Sequence, residues 1–187
     1  MNQHIDDAPD TQRVFIALPV PLSVTDAISQ AFQQYPQYIE RQVPVQKWHV
    51  TLTWLGELEN PHQYLSRLTK SMMQDFLPTV RLTHVGRGKK RTQLWAYVDP
   101  SVSLLSIRTQ LIDRLRSFRC PLPPNIRQQV YIPHIHIADL YSVAGGVGLA
   151  DYPTPVSFAA REAQVIYSTP TPKGSVYEVA GEIRLSA

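Results

Sequence analysis

The chain has 187 residues, 43% of them hydrophobic and 18% charged, with a net charge of +3. This is an ordinary globular balance. No apolar run approaches the ~20 residues of a membrane helix, and the charge permits a polyanionic substrate without demanding one. Cys120 is the single cysteine, which excludes an internal disulfide, so the cytoplasm is the expected compartment.

Residues 1–10 are polar and acidic, with no basic segment leading into an apolar one. They are expected to be a disordered tail rather than a secretory signal, ahead of one bilobal domain over 11–187. Val14 to Leu18 reads as a strand closed by Pro19 and Pro21. Ser23 then reads as the N-cap of a helix carrying Val24, Ala27, Ile28, Ala31 and Phe32 on one side, which ends before Pro36. After a connector or short strand over 40–47 comes a strand starting at His49 and stopping near Gly56-Glu57. Strict alternation places Val50, Leu52 and Trp54 on its core face, with His49, Thr51 and Thr53 on the other. Asn60-Pro61 reads as N-cap and first turn of a second helix, with Tyr64, Leu65, Leu68, Met72 and Met73 as its apolar stripe.

The second half opens with a strand over 80–85. A compact basic run follows, Arg87-Gly88-Lys89-Lys90-Arg91, then a strand over 93–98. Such a run is usually a solvated loop, and its functional reading is contact with phosphates. Ser103 to Phe118 is an amphipathic helix built on Leu104, Ile107, Leu111 and Leu115, broken by Pro121 and the Pro123-Pro124 pair. A second histidine strand follows, on which alternation puts His134, His136 and Ala138 on one face and Ile135 and Ile137 behind. Two last strands, over 163–168 and 175–180, are joined by a hairpin loop.

One unit occurs twice. A strand, a helix and a histidine strand recur from Val14 to His49 and again from Leu94 to His134. The repeat predicts two lobes related by a pseudo-twofold axis, each offering one imidazole to a shared groove. An imidazole titrates near neutrality, so one copy can be protonated while its twin is neutral. That supports paired general acid-base chemistry, worth ~10²–10⁴-fold per well-placed group. Displacement at a phosphate diester needs such a pair, because the departing alkoxide requires a proton and the attacking water must lose one. Thr51, two residues after His49, offers a hydroxyl to a non-bridging phosphate oxygen.

At these residues the chain resembles the 2H phosphoesterase superfamily, and within it the RNA 2′,3′-cyclic phosphodiesterase family, also called 2′-5′ RNA ligases. The family carries two H-x-T/S-x motifs, one per lobe. His49-Val50-Thr51-Leu52 matches the first; His134-Ile135-His136-Ile137, after Pro133, matches the second in position but has His136 where Thr is expected. Leu94-Trp95-Ala96 and Val165-Ile166-Tyr167-Ser168 match further landmarks, so the likeness spans about 13–183. It implies an α+β fold of duplicated β-α-β units with two antiparallel sheets around a central groove, and chemistry without metal or other cofactor. It implies that His49 donates a proton to the leaving ribose oxygen, that His134 activates water, and that Thr51 and His136 hold the phosphate. The expected partners are RNA ends or nucleotides with a 2′,3′-cyclic phosphate, hydrolysed to 2′-phosphomonoesters, with weak 2′-5′ ligation as the reverse. A monomer with no membrane association is expected.

Asp139 stands where many members carry an Arg that helps hold the phosphate; a carboxylate there would repel the anion unless Lys89, Lys90 or Arg91 compensates. Two alternatives stay open on the residues alone. His49, His134 and His136 are of the type and number for a three-histidine metal site in a metal-dependent hydrolase. Equally, a decayed second motif would leave a non-catalytic binder of RNA ends or nucleotides. His4, His62 and His84 are expected to be incidental, and Trp48 and Tyr131 to pack beside the groove rather than stack a base.

Overall fold

A computed structural model describes residues 10–70, 77–124, 126–142, 149–172 and 174–186. The alternating and β-branched runs form strands, and the 3.6-periodic runs form helices. Strand β1 (Thr11–Pro19) leads into helix α1 (Leu22–Phe32), short strand β2 (Ile39–Gln42) and the long strand β3 (His49–Glu59). Helix α2 (His62–Thr69) and strands β4 (Thr79–Arg87) and β5 (Gln93–Val98) come next. Helix α3 (Val102–Ser117), strand β6 (His134–Leu140), two short strands β7 (Tyr152–Pro153) and β8 (Ser157–Ala159), and the hairpin of β9 (Glu162–Thr169) with β10 (Val176–Arg184) complete the order.

The strands form two antiparallel sheets. The first has the order β10-β9-β1-β3, and the second β2-β6-β5-β4-β7, with β8 also paired to β4. The duplicated unit is visible in the pairing. β1 pairs antiparallel with β3 in one sheet, and β5 with β6 in the other. The expected architecture, α+β with two lobes about a pseudo-twofold axis, is therefore the one observed. β3 forms an edge of the first sheet and lies against β6 of the second, so the two histidine strands border one groove.

A single apolar cluster runs behind both sheets. It joins Val14, Ile16 and Leu18 of β1, Val50, Leu52, Leu55 and Leu58 of β3, Leu94 and Ala96 of β5, and Ile135 and Ile137 of β6 to Ile28 of α1 and Leu104, Ile107 and Leu111 of α3. Fully burying one such side chain contributes about 1.5–3 kcal/mol. The chain crosses between sheets: β2 leaves the first lobe to pair with β6. After α1, the Tyr35 hydroxyl sits 3.1 Å from the carbonyl oxygen of Val85 and 2.6 Å from that of Ala150. On the groove side of the first sheet, Phe15, Ala17 and Ile166 form a separate small cluster.

β-Bulges in the two histidine strands correct the strict alternation expected from sequence. In β3, Ala17 pairs with Thr51 but Ile16 with Thr53, so Leu52 is an extra residue. The parity changes there. Thr53 turns to the core beside Ile16 at 3% exposure, and Trp54 turns to the groove beside Phe15 at 46% exposure. A further bulge follows before Gly56, whose φ of 83° is open to glycine at little cost. In β6, Trp95 pairs with His136 but Leu94 with Ala138, so Ile137 is the extra residue. Ala138 therefore joins the core, and Asp139 takes the groove position that simple alternation assigns to Ala138.

Smaller differences concern helix ends. Pro21, not Ser23, occupies the N-cap of α1, without a side-chain cap, and Pro61 rather than Asn60 caps α2. α3 starts one residue early because Ser101 caps it, its Oγ accepting from the Leu104 amide at 3.4 Å. β3 runs past Gly56 to Glu59. Met72 and Met73 lie outside the described residues.

Thr53 bears the cost of its bulge: among the described residues its buried hydroxyl has no hydrogen-bond partner. Leaving such a group unsatisfied costs about 1–3 kcal/mol. Thr53→Val, which keeps the shape and removes the hydroxyl, is expected to stabilise the fold by on the order of 1 kcal/mol. Chemical denaturation of the two proteins reads this directly.

Candidate active site

His49 opens β3 and His134 opens β6, and each is held in the same way. The Nδ1 of His49 lies 2.7 Å from the carbonyl oxygen of Lys47, and that of His134 lies 2.8 Å from that of Ile132. A carbonyl can only accept, so each neutral ring carries its proton on Nδ1 and leaves Nε2 as the acceptor. Each ring also lies on an aromatic side chain of the preceding strand of its own lobe. Phe15 of β1 meets His49 with centroids 4.9 Å apart, and Trp95 of β5 stacks on His134 at 3.6 Å and 14°. Tyr177 from β10 closes over His49 edge-on at 5.5 Å.

Two cavities flank the junction of the strands. One, of about 250 Å³, is lined by Thr51, Trp54, Lys89, Trp95, Tyr131 and His134, among others. The other, of about 160 Å³, includes Arg41, Lys47, His49, His136, Ser175 and Tyr177. Their linings show the pseudo-symmetry: Thr51 shares a cavity with His134, and His136 shares one with His49. His49 and His134 thus line different cavities, each together with the second position of the other motif.

Both imidazoles are disfavoured as cations. Burial pushes the His49 pKa down to about 4; the hydrogen bond to the Lys47 carbonyl opposes this, and the charges of His134 and His136 add to it. The charges of the other two rings thus bear on His49. Burial also lowers His134, opposed by the Ile132 carbonyl and assisted by His136. In the free groove at neutral pH both rings are therefore uncharged.

His136 is engaged differently from His49 and His134. Its Nε2 lies 3.0 Å from Asp139 Oδ1 and 3.1 Å from the Ala138 carbonyl oxygen. Asp139 Oδ2 in turn accepts from Arg41 Nε at 3.0 Å and Nη2 at 2.5 Å. The carboxylate expected to repel a phosphate is thus paired by a cation from β2, not by the basic loop. Within that loop, Lys89 reaches the His134 cavity, while Arg87 donates to the carbonyl of Arg91.

Other expectations resolve as packing. Trp48 is buried and donates Nε1 to the Val43 carbonyl, and the Tyr131 hydroxyl donates to the Thr51 carbonyl. Tyr131 also lies under the buried Arg108 guanidinium, 5.0 Å away. Among the described residues, no three His, Cys, Asp or Glu side chains are grouped to hold a metal ion, and the Nε2 of His136 is committed to Asp139. Sequence reasoning missed Phe15, Arg41, Lys47, Trp95 and Tyr177 as groove residues. Phe15 was discoverable, since alternation with Val14 and Ile16 points it away from the core. Arg41 carried no signal, because its partner lies 98 positions away.

No protein-family model matches the chain, and no curated protein matches it in sequence. Solved structures do. A phosphoesterase is 19% identical, with 96% of this chain and 99% of that one covered and a TM-score of 0.74. LigT of E. coli in its apo form is 20% identical, covering 95% and 99%, at a TM-score of 0.75. TT0787 of Thermus thermophilus is 19% identical, covering 92% and 97%, at a TM-score of 0.77. LigT has also been solved in complex with 3′-AMP, ATP, NADP+ and phosphate. At these identities the likeness is one of fold, and it extends over nearly the whole chain. It is the fold that the two motifs imply.

Gly88 places its backbone against the Trp95 indole: a Cβ there would stand 2.6–2.8 Å from three ring atoms. Gly88→Ala is expected to shift Trp95 and with it the stacked His134. The His134 ring protons in the NMR spectrum, displaced by the indole ring current, are expected to move, while those of His62 stay in place.

Proposed function

We propose that this protein is a phosphodiesterase of the 2H type that opens 2′,3′-cyclic phosphate ends of RNA or nucleotides to 2′-phosphomonoesters. The observation that carries this reading is the matched pair of histidines. Two lobes deliver two imidazoles with the same fixed tautomer and the same aromatic support to strands that meet at one groove. The nucleotides and phosphate bound by LigT are of the chemical class this reading requires.

In the proposed reaction a water attacks phosphorus and passes a proton to Nε2 of His134. The bond from phosphorus to the ribose 3′ oxygen breaks, and His49 supplies that oxygen with a proton. Thr51 donates a hydrogen bond to a non-bridging oxygen. His134 is suited to its part in the free groove, being neutral with Nε2 as acceptor. His49 is not yet suited to its part, since burial opposes its proton. The negative charge of the bound diester reverses this, because an anion within a few ångströms favours the imidazolium. Trp95 and Phe15 limit water around both rings, which strengthens that interaction.

The pH dependence follows with a definite sign. The profile of kcat/KM reports the free enzyme, and the productive form has one ring protonated and one neutral. Both pKa values are lowered from 6.5, that of His49 to about 4. The singly protonated form is therefore most abundant below pH 6.5. We expect kcat/KM on a 2′,3′-cyclic mononucleotide, with a chelator present, to rise as pH falls from about 8 to about 6. An optimum on the alkaline side of neutrality would contradict the proposed pair.

His49→Ala and His134→Ala should each lower turnover by at least ~10²-fold, with the product phosphate located by phosphorus NMR. Retained activity in either variant would refute the assignment. Binding of cyclic nucleotide by the unaltered protein without any turnover would identify a binder instead.

A further inference from the structure

Positions 136 and 139 are where the chain departs from the second motif, and the structure joins them. Nε2 of His136 touches two groups that can only accept, Asp139 Oδ1 at 3.0 Å and the Ala138 carbonyl at 3.1 Å. The neutral ring therefore carries its proton on Nε2, the opposite tautomer to His49 and His134. Its remaining nitrogen, Nδ1, has only a lone pair to offer. A phosphate oxygen also has only lone pairs. Neutral His136 thus cannot do what the replaced hydroxyl does, and it becomes a donor at Nδ1 only when protonated.

Burial disfavours that proton, and Asp139 is placed to favour it. Asp139 faces Nε2 and is itself held by Arg41 through Nε and Nη2. A carboxylate hydrogen-bonded to one ring nitrogen stabilises charge on the ring. Across the cavity stand His49, Lys47 and Tyr177, and His134 lies two residues back on the same strand. Burial and the charge of Arg41 oppose a proton on His136 while the cavity is empty. An entering anion reverses the balance, because it brings negative charge beside His136 and faces Arg41 and Lys47 in the same cavity.

We propose that His136, positioned by Asp139 and Arg41, is a proton-linked anion-binding residue: it takes one proton from solvent as a phosphate group enters, and its Nδ1–H then donates to a non-bridging oxygen. The inference rests on the reading of the groove as a phosphodiesterase site and adds to it a binding step coupled to pH. Asp139 acts through His136 and is a positioning residue.

The test uses inorganic sulfate, a dianion that does not itself titrate near neutrality, bound to the full chain and followed by calorimetry between about pH 6 and pH 8. The unaltered protein is compared with His136→Thr, which supplies a hydroxyl donor that needs no proton, and with Asp139→Asn, which keeps an acceptor for Nε2–H but removes its charge. One linked proton contributes up to about tenfold in affinity per pH unit. The expected result is that His136→Thr binds sulfate with that much less pH dependence and at least equal affinity at the alkaline end. Asp139→Asn should bind several-fold more weakly at the acid end, and its loss on a cyclic nucleotide should fall on KM rather than on kcat. If both variants follow the pH dependence of the unaltered protein, and that protein turns over cyclic nucleotide, the inference alone fails. If the unaltered protein neither binds sulfate nor turns over substrate, the inference and the reading it rests on both fail.

Discussion

Each of the two groove histidines gives its Nδ1 proton to the carbonyl oxygen two residues before it, that of Lys47 in one lobe and that of Ile132 in the other. This hydrogen bond decides the tautomer and restrains the rotation of the ring. It is made by the chain just upstream of the strand, so its geometry depends on how Lys47 and Ile132 enter β3 and β6. The rest of the groove is arranged about that restraint. Phe15 and Trp95 support the ring faces, and the Trp95 indole has room for its stack because Gly88 has no side chain. The core behind the sheets holds β3 against β6, where the charge of His134 bears on His49.

The groove is lined by cations and neutral rings, which is the electrostatic character suited to a phosphate. The carboxylate on its edge, Asp139, is not a flaw in that field. It is neutralised by Arg41 and aims a third imidazole into the cavity shared with His49. A hydroxyl donates a hydrogen bond at every pH, whereas an imidazole whose Nε2–H is already committed has a second donor only when protonated. His136, Asp139 and Arg41 are therefore best understood as one linked unit.

Most of the fold was legible in local pattern. The strands from Val14, His49, Leu94 and His134, the helix from Ser103, and the duplication relating the two halves all follow from periodicity and from proline and glycine placement. What alternation misjudged were Thr53, Trp54 and Ala138. All three lie beyond a bulge, at Leu52 or Ile137, where one extra residue reverses the parity of the side chains that follow. A bulge is a property of the pairing with a neighbouring strand, and the strand's own residues do not announce it.

The sequence by itself determined which residues could carry the chemistry: two histidines at the starts of matched strands, a threonine beside the first and a histidine beside the second. It did so because side-chain type and period-two spacing are local properties. Only the tertiary structure decided which groups face one another. It set Thr51 in the cavity of His134, His136 in that of His49, and Arg41 on Asp139 across 98 positions of chain. The reason is physical: charge pairing and ring stacking act through space over a few ångströms, and the sheet pairing that creates those distances joins segments that sequence keeps far apart.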